Sequence, residues 1–195
     1  MIQSGQGKLI AARKFSLYAV IFAILAITFG PFYTEPGYSW IRHSISELAA
    51  QNTRNAWIMQ AGLVLLGIGI LVDFARTRNR YDLPFVFFAV AIILAGVFPH
   101  KPITDGVPFS ESLDWWHSLF SGLTGFTATI AALVRIFATK NILRRTSYFS
   151  LIIVYTVLPM LMFNLPSYEG IFQRIIFASF FVLVAVDYPW RQDKV

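Results

Sequence analysis

His117, Ser121 and Thr124 are spaced i, i+4 and i+7, so on a helix they share one face. Asp114 precedes His117 by three residues. This order suits a general base with a near-neutral pKa, oriented by Asp114, with Ser121 as nucleophile. The same segment also reads as a packing surface. Ser118, Ser121, Gly122 and Gly125 form small-xxx-small pairs, which let membrane helices approach closely. His43, His100 and His117 are the three histidines of the chain. Three neutral imidazoles with a carboxylate suit Zn²⁺, and three protein ligands plus water is the arrangement of catalytic zinc sites. No HExxH or HxxxH spacing accompanies them. Arg42, Arg54 and Arg174, with Ser44, Ser46 and Glu47, are candidates for holding a ligand or a lipid phosphate, since Arg is a bidentate phosphate partner. Snorkelling at a membrane interface accounts for the arginines equally well.

The frame for these residues is a membrane. Hydrophobic residues make up 56% of the 195 and charged residues 13%, about half the share usual in a globular domain. One core in a chain this short cannot hide so much apolar surface. Six apolar runs, at about 15–31, 56–74, 83–98, 117–138, 147–164 and 171–188, approach the roughly 20 residues a span requires. Trp57, Tyr81, Trp115, Trp116, Tyr148, Tyr188 and Trp190 sit at run ends, where interfacial aromatics belong. In lipid the runs must be helices, because an isolated strand leaves its backbone groups unpaired. The fold class expected is therefore all-α: one domain, a polytopic bundle of six transmembrane helices.

Charge sets the orientation. Lys8, Arg13 and Lys14 lie before the first run, and Arg76, Arg78 and Arg80 after the second. Arg135, Lys140, Arg144 and Arg145 follow the fourth, and Arg191 and Lys194 follow the sixth. These lie on one side, which the positive-inside rule makes cytoplasmic, with both termini there. A bacterial cytoplasmic membrane is the expected location. The rule also accounts for the net charge of +6 without nucleic acid, for which no basic face or binding motif exists. The first run is expected to stay as a helix: Pro31, Phe32 and Tyr33 follow it where a signal peptide would have small residues. The loops on the basic side are short connections with no room for an enzyme domain.

All three His fall on the opposite side. So do Glu35, Glu47, Asp105, Glu111, Asp114 and Glu169. The first outer loop, 33–55, is long for a segment without structure. Ser44 or Ser46 as an N-cap, with Glu47 in the first turn, predicts a short interfacial helix on the outer surface. The second, 99–116, contains Pro99, Pro102 and Pro108 and is expected to be an ordered cap.

Pro36-Gly37-Tyr38, Ser44-Ile45-Ser46-Glu47-Leu48 and Asn55-Ala56-Trp57 ahead of an apolar helix resemble the DUF998 family of small bacterial and archaeal membrane proteins. Gly96-Val97-Phe98-Pro99, followed by His117 at the head of the next helix, fits the same pattern. The resemblance covers about residues 15–188. Many members carry an acid soon after the phenylalanine-proline pair, where this chain has His100 and Lys101. The resemblance implies the architecture and no mechanism.

The function expected is binding of a lipid, a small ligand or a partner protein at the outer face, the partner being membrane lipid, a second copy of the chain or another membrane protein. The rival is a membrane-embedded hydrolase or transferase acting on lipid headgroups, with His117 as base and Ser121 or zinc taking part. A small oligomeric transporter is the third reading, and no ionisable residue at the centre of a run supports it. With no Cys, thiol chemistry and disulfides are excluded. No Walker loop, dinucleotide fingerprint or nucleophile elbow occurs.

Overall fold

The computed structural model describes residues 14–189. It is all-helical among those residues, with no strand. The helices are α1 (Lys14–Tyr33), α2 (Trp57–Thr77), α3 (Leu83–Val97), α4 (Glu111–Ala138), α5 (Ile142–Asn164) and α6 (Glu169–Asp187). All six are long and apolar enough to cross a bilayer, α3 when counted with the 3₁₀ turn Arg80–Asp82 that leads into it and α6 with the turn Pro166–Tyr168. Lys8, Arg13, Arg191 and Lys194, used in the charge argument, and Trp190, counted among the interfacial aromatics, lie outside the described residues.

Each helix packs on the next in sequence, and α1 meets α6, so the six form a ring. Side chains from opposite parts of the ring meet in its centre. Phe88 of α3 stacks on Phe180 of α6 with centroids 3.7 Å apart, and Phe85 lies 4.9 Å from Tyr188. Ala128, Ala131 and Ala132 are buried on one face of α4, where small side chains let neighbouring helices close in.

Two helices begin earlier than the hydropathy runs, because a polar residue caps each start. Ser110 caps α4, its Oγ accepting from the Leu113 N–H at 3.4 Å. Asn141 caps α5, its Oδ1 accepting from Arg144 N–H at 3.1 Å. Such caps satisfy orphan donors of the first turn. Asp114, Trp115 and Trp116 consequently lie on α4 rather than in a loop.

The first outer loop carries the short helix expected there, with Glu47 in its first turn. Its helical part is one 3₁₀ turn, Ser46–Ala49. Leu48 and Ala49 are completely buried, so the turn plugs the end of the bundle opposite the basic loops, the end called outer here.

At the other end, Arg135 of α4 pairs with Asp82, the residue ahead of α3, and both side chains are fully buried. The Asp73 carboxylate accepts the Ser16 N–H at 2.9 Å, and Tyr188 donates to the Ile70 carbonyl at 2.6 Å. The basic end, read from sequence as a set of loops serving topology alone, is thus also built around buried polar contacts.

Candidate functional site

The outer cap is assembled from residues that the sequence had marked. Pro36 and Gly37 occupy the two central positions of a turn closed by Tyr38 N–H to Glu35 O at 3.3 Å. Gly37 has φ +92°, the left-handed geometry of the second central position in a type II turn. Asn55, also left-handed at φ 54°, donates from its amide to the Tyr33 carbonyl at 2.9 Å. Glu47 reaches back to the N–H of Ser44, the carboxylate half of a capping box, and accepts the Ser44 hydroxyl at 3.1 Å. Burial pushes the Glu47 carboxyl above its ordinary range, while the bonds from Ser44 oppose that shift.

Arg174 was a candidate phosphate ligand. Its guanidinium instead organises the loop, donating to the carbonyls of Trp40 and His43 at 3.0 Å and of Gly170 at 2.9 Å. It also donates to the Tyr38 hydroxyl at 2.6 Å and lies over the Trp40 ring, 5.0 Å from its centroid. Arg42 and Arg54 are exposed; the Arg54 N–H donates to Glu35 at 2.6 Å.

Two glutamines and a glycine, not singled out from sequence, complete the cap. The Gln173 carbonyl accepts from the N–H groups of Ile45 and Ser46, capping the 3₁₀ turn from α6. Buried Gln51 ties the two outer loops together. Its amide donates to Pro99 O at 3.2 Å and Ser110 O at 3.0 Å, and its carbonyl accepts Ser110 N–H at 2.8 Å. A Cβ on Gly170 would run into the carbonyl oxygens of His43 and Trp40 and stand 2.9 Å from that of Ile41, so the loop backbone rests directly on α6. The legible signal was the pair Gln173-Arg174 one turn into an apolar run.

The three histidines do not converge. Among the described residues, no group of three His, Asp or Glu side chains is placed to hold a metal ion. His43 turns to its own loop, its Nδ1 accepting the Ser39 N–H at 2.9 Å and its ring 5.4 Å from that of Tyr38. His100 and His117 do meet, with ring centroids 5.2 Å apart. Two imidazoles fall short of the three or four protein ligands of a zinc site, so the candidate zinc centre has no support among the described residues.

His117 is almost wholly buried. Its Nδ1 faces the carbonyls of Ala95 at 2.9 Å and Phe98 at 2.8 Å. Both partners are acceptors, so Nδ1 carries the proton and Nε2 the lone pair. The Ser121 hydroxyl, 3.1 Å from Nε2, therefore donates to it. This is the geometry of a serine beside its base. The orienting group is the C-terminal end of α3, whose last carbonyls lack helical partners, and not Asp114. That carboxylate accepts the Lys101 N–H at 2.8 Å and lies 3.1 Å from His100 Nδ1. Burial and the neighbouring His117 ring push the His100 pKa down to about 4, against the pull of Asp114.

The helix face below this pair is open. Gly125 continues the His117–Ser121 line by one turn, with Gly122 beside it, and a Cβ on either glycine would meet no atom within 4 Å. At Gly122 and Gly125, therefore, α4 does not pack against another helix among the described residues, which the small-xxx-small reading required. Thr124, buried nearby, turns its hydroxyl to the Phe120 carbonyl at 2.8 Å.

No curated protein and no solved structure matches the chain. The sequence does match one described family, Protein of unknown function (DUF998), over residues 17–186. Six membrane-length helices, a cap built from the motifs that suggested this family, and a match across most of the length make this chain a member of DUF998.

Proposed function

We propose that this protein binds a lipid or similar amphiphile at its outer face, with the polar head against His117, Ser121 and His100 and the apolar tail along the Gly122–Gly125 face of α4. The observation that carries this reading is the open face at Gly125, one helical turn along α4 from the Ser121–His117 hydrogen bond. A ligand there would meet a hydrogen-bonding pair at one end and an open apolar helix face, with Leu123 and Phe126 exposed beside it, at the other. The remaining outer candidates, Arg174, Ser44, Ser46 and Glu47, serve this reading by holding the cap above the site. The proposal includes the sidedness from charge: outer means extracytoplasmic, with both termini cytoplasmic.

The test uses nanodiscs of phosphatidylethanolamine and phosphatidylglycerol with a photoreactive acyl chain. Cross-links should concentrate near residues 121–126, above the level on the lipid-facing surface of α5. Gly125→Leu fills the open space without touching packed atoms, and should reduce that excess at least tenfold. Cross-linking no denser than on α5, or unchanged by Gly125→Leu, would reject the site.

One observation favours a second reading, the hydrolase. With Nε2 unprotonated, His117 can take the Ser121 proton as Oγ attacks an ester or amide carbonyl, then pass it to the leaving alkoxide or amine. Water would release the acyl group and restore both residues. The α3 C-terminus favours the imidazolium so formed, through its negative dipole end. A fluorophosphonate should then label Ser121 in the native protein and not in His117→Ala; an unlabelled native protein rejects catalysis and leaves binding.

A further inference from the structure

The far end of the bundle carries a groove with no part in the outer site. On α5, Arg144, Ser147, Tyr148 and Leu151 are spaced i, i+3, i+4 and i+7. On α6, Ser179, Val182, Leu183, Val186 and Asp187 are spaced i, i+3, i+4, i+7 and i+8, so each set is one helix face. The two faces line a cavity of about 370 Å³ between the helices, within the roughly 300–1,000 Å³ range of ligand sites. Its rim is tied by the Tyr148 hydroxyl donating to the Asp187 carboxylate. From Asp187 down to Ser179 is eight residues, about 12 Å along a helix. Polar groups occupy the rim. Leu151, Val182, Leu183 and Val186 form the wall below, and the Ser179 hydroxyl at the deep end turns back to the Ile176 carbonyl at 2.8 Å. α5 is also the least buried of the six spans.

We propose that this groove is a site for one anionic phospholipid of the leaflet at the basic end, with its acyl chain between α5 and α6 and its phosphate at the α4–α5 connection. Charge complementarity selects the headgroup. Lys140, Arg144 and Arg145 fall within six residues, three cations against the one rim carboxylate, Asp187, which the Tyr148 hydroxyl already engages, and basic clefts between membrane helices bind anionic headgroups. Depth selects the tail. The wall lies inside the apolar layer, where an acyl chain is the ligand at hand and a soluble anion or peptide is excluded.

The experiment uses the full chain, delipidated in detergent, and reads its melting temperature with added lipid. Phosphatidylglycerol should raise it by roughly 5 °C at saturation, as expected for a ligand bound by the folded state alone. In Gly125→Leu, where the outer face is filled, phosphatidylcholine of the same chains, and glycerol 1-phosphate as the headgroup without a tail, should shift it by less than about 1 °C. Ser179→Phe fills the deep end and should abolish the phosphatidylglycerol shift. If that variant does not fold, Val186→Trp fills the groove just below the rim from a position that is 64% exposed. Gly125→Leu, at the outer site, should keep the shift, which separates the two proposals. An equal rise with phosphatidylcholine or glycerol 1-phosphate in Gly125→Leu overturns the site. So does a shift that survives the groove-filling variant, or one lost in Gly125→Leu.

Discussion

Arg135 and Asp82 form an ion pair whose two side chains have no exposure at all. A second guanidinium nitrogen of Arg135 donates to the Tyr81 carbonyl, and the group sits over the Phe85 ring, 5.2 Å from its centroid. Removing one partner leaves a buried charge without its counterion. Asp82→Leu or Arg135→Leu should each cost about 3–5 kcal/mol, while the double variant costs less than either. Unfolding in mixed micelles provides the measurement. A double variant as unstable as the sum of the singles would mean the pair is not coupled.

Gly170 makes a contrasting prediction. An alanine there must push against the loop carbonyls of Trp40, Ile41 and His43, and backbone cannot swing aside as a side chain can. Gly170→Ala should destabilise by about 1–3 kcal/mol, the usual cost of overpacking, and make the segment 35–56 sensitive to protease. Gly122→Ala and Gly125→Ala, in open space, should leave both readouts unchanged or slightly raise helix stability. Equal effects at all three positions would contradict the geometry.

His117 and Ser121 should separate in a stability assay. Ser121→Ala removes a hydroxyl from a partly exposed pair and should cost no more than about 1 kcal/mol. His117→Leu strips the donor from two carbonyls at the end of α3, each worth about 1–3 kcal/mol when left unsatisfied. Thermal melts of the two variants test this. The ordering reverses only if the imidazole is not the cap of α3.

Acid should weaken the cap through His100. The folded protein holds its pKa near 4, while the unfolded chain has the ordinary value near 6.5. Between those values the unfolded chain binds the proton and the folded chain does not, so stability falls as pH drops from about 6.5 to 4. His43 is lowered by burial and then by Arg42 and Arg174, and acts in the same sense. Glu47, raised by burial, acts oppositely: its contribution is present below the ordinary carboxylate value and lost as pH rises through the folded one. The loss of melting temperature between pH 7 and pH 4.5 should therefore shrink, without vanishing, in His100→Gln. An unchanged loss would show that the ring is not held neutral.

Topology reporters fused after Arg80 and at the C-terminus should both report the cytoplasm, as the positive-inside argument requires. A periplasmic reading at either would reverse the proposed sidedness and move the outer site to the other leaflet.

The residues by themselves determined the six spans and the sharing of one end by the long loops, because lipid leaves a chain no alternative to helices of bilayer length. They also disclosed the i, i+4 relation of His117 to Ser121, since helical periodicity is local. Partners distant in sequence were hidden. Asp114 was three residues from His117 and belongs to His100 instead, because the α3–α4 loop folds back to place Lys101 and His100 beside it. Arg174 looked like a phosphate ligand, and its actual partners are loop carbonyls more than 130 residues away. The serine-rich motif at Ser44–Leu48 was recognisable as a helix start, but its burial under α6 depends on Gln173 and Gly170. Pairing of Asp82 with Arg135 likewise follows from the packing of α3 on α4. Local hydrogen-bonding rules could read caps and turns from neighbouring residues; which carbonyl an arginine reaches, and which histidines meet, was decided only when helix packing brought distant loops to the same end.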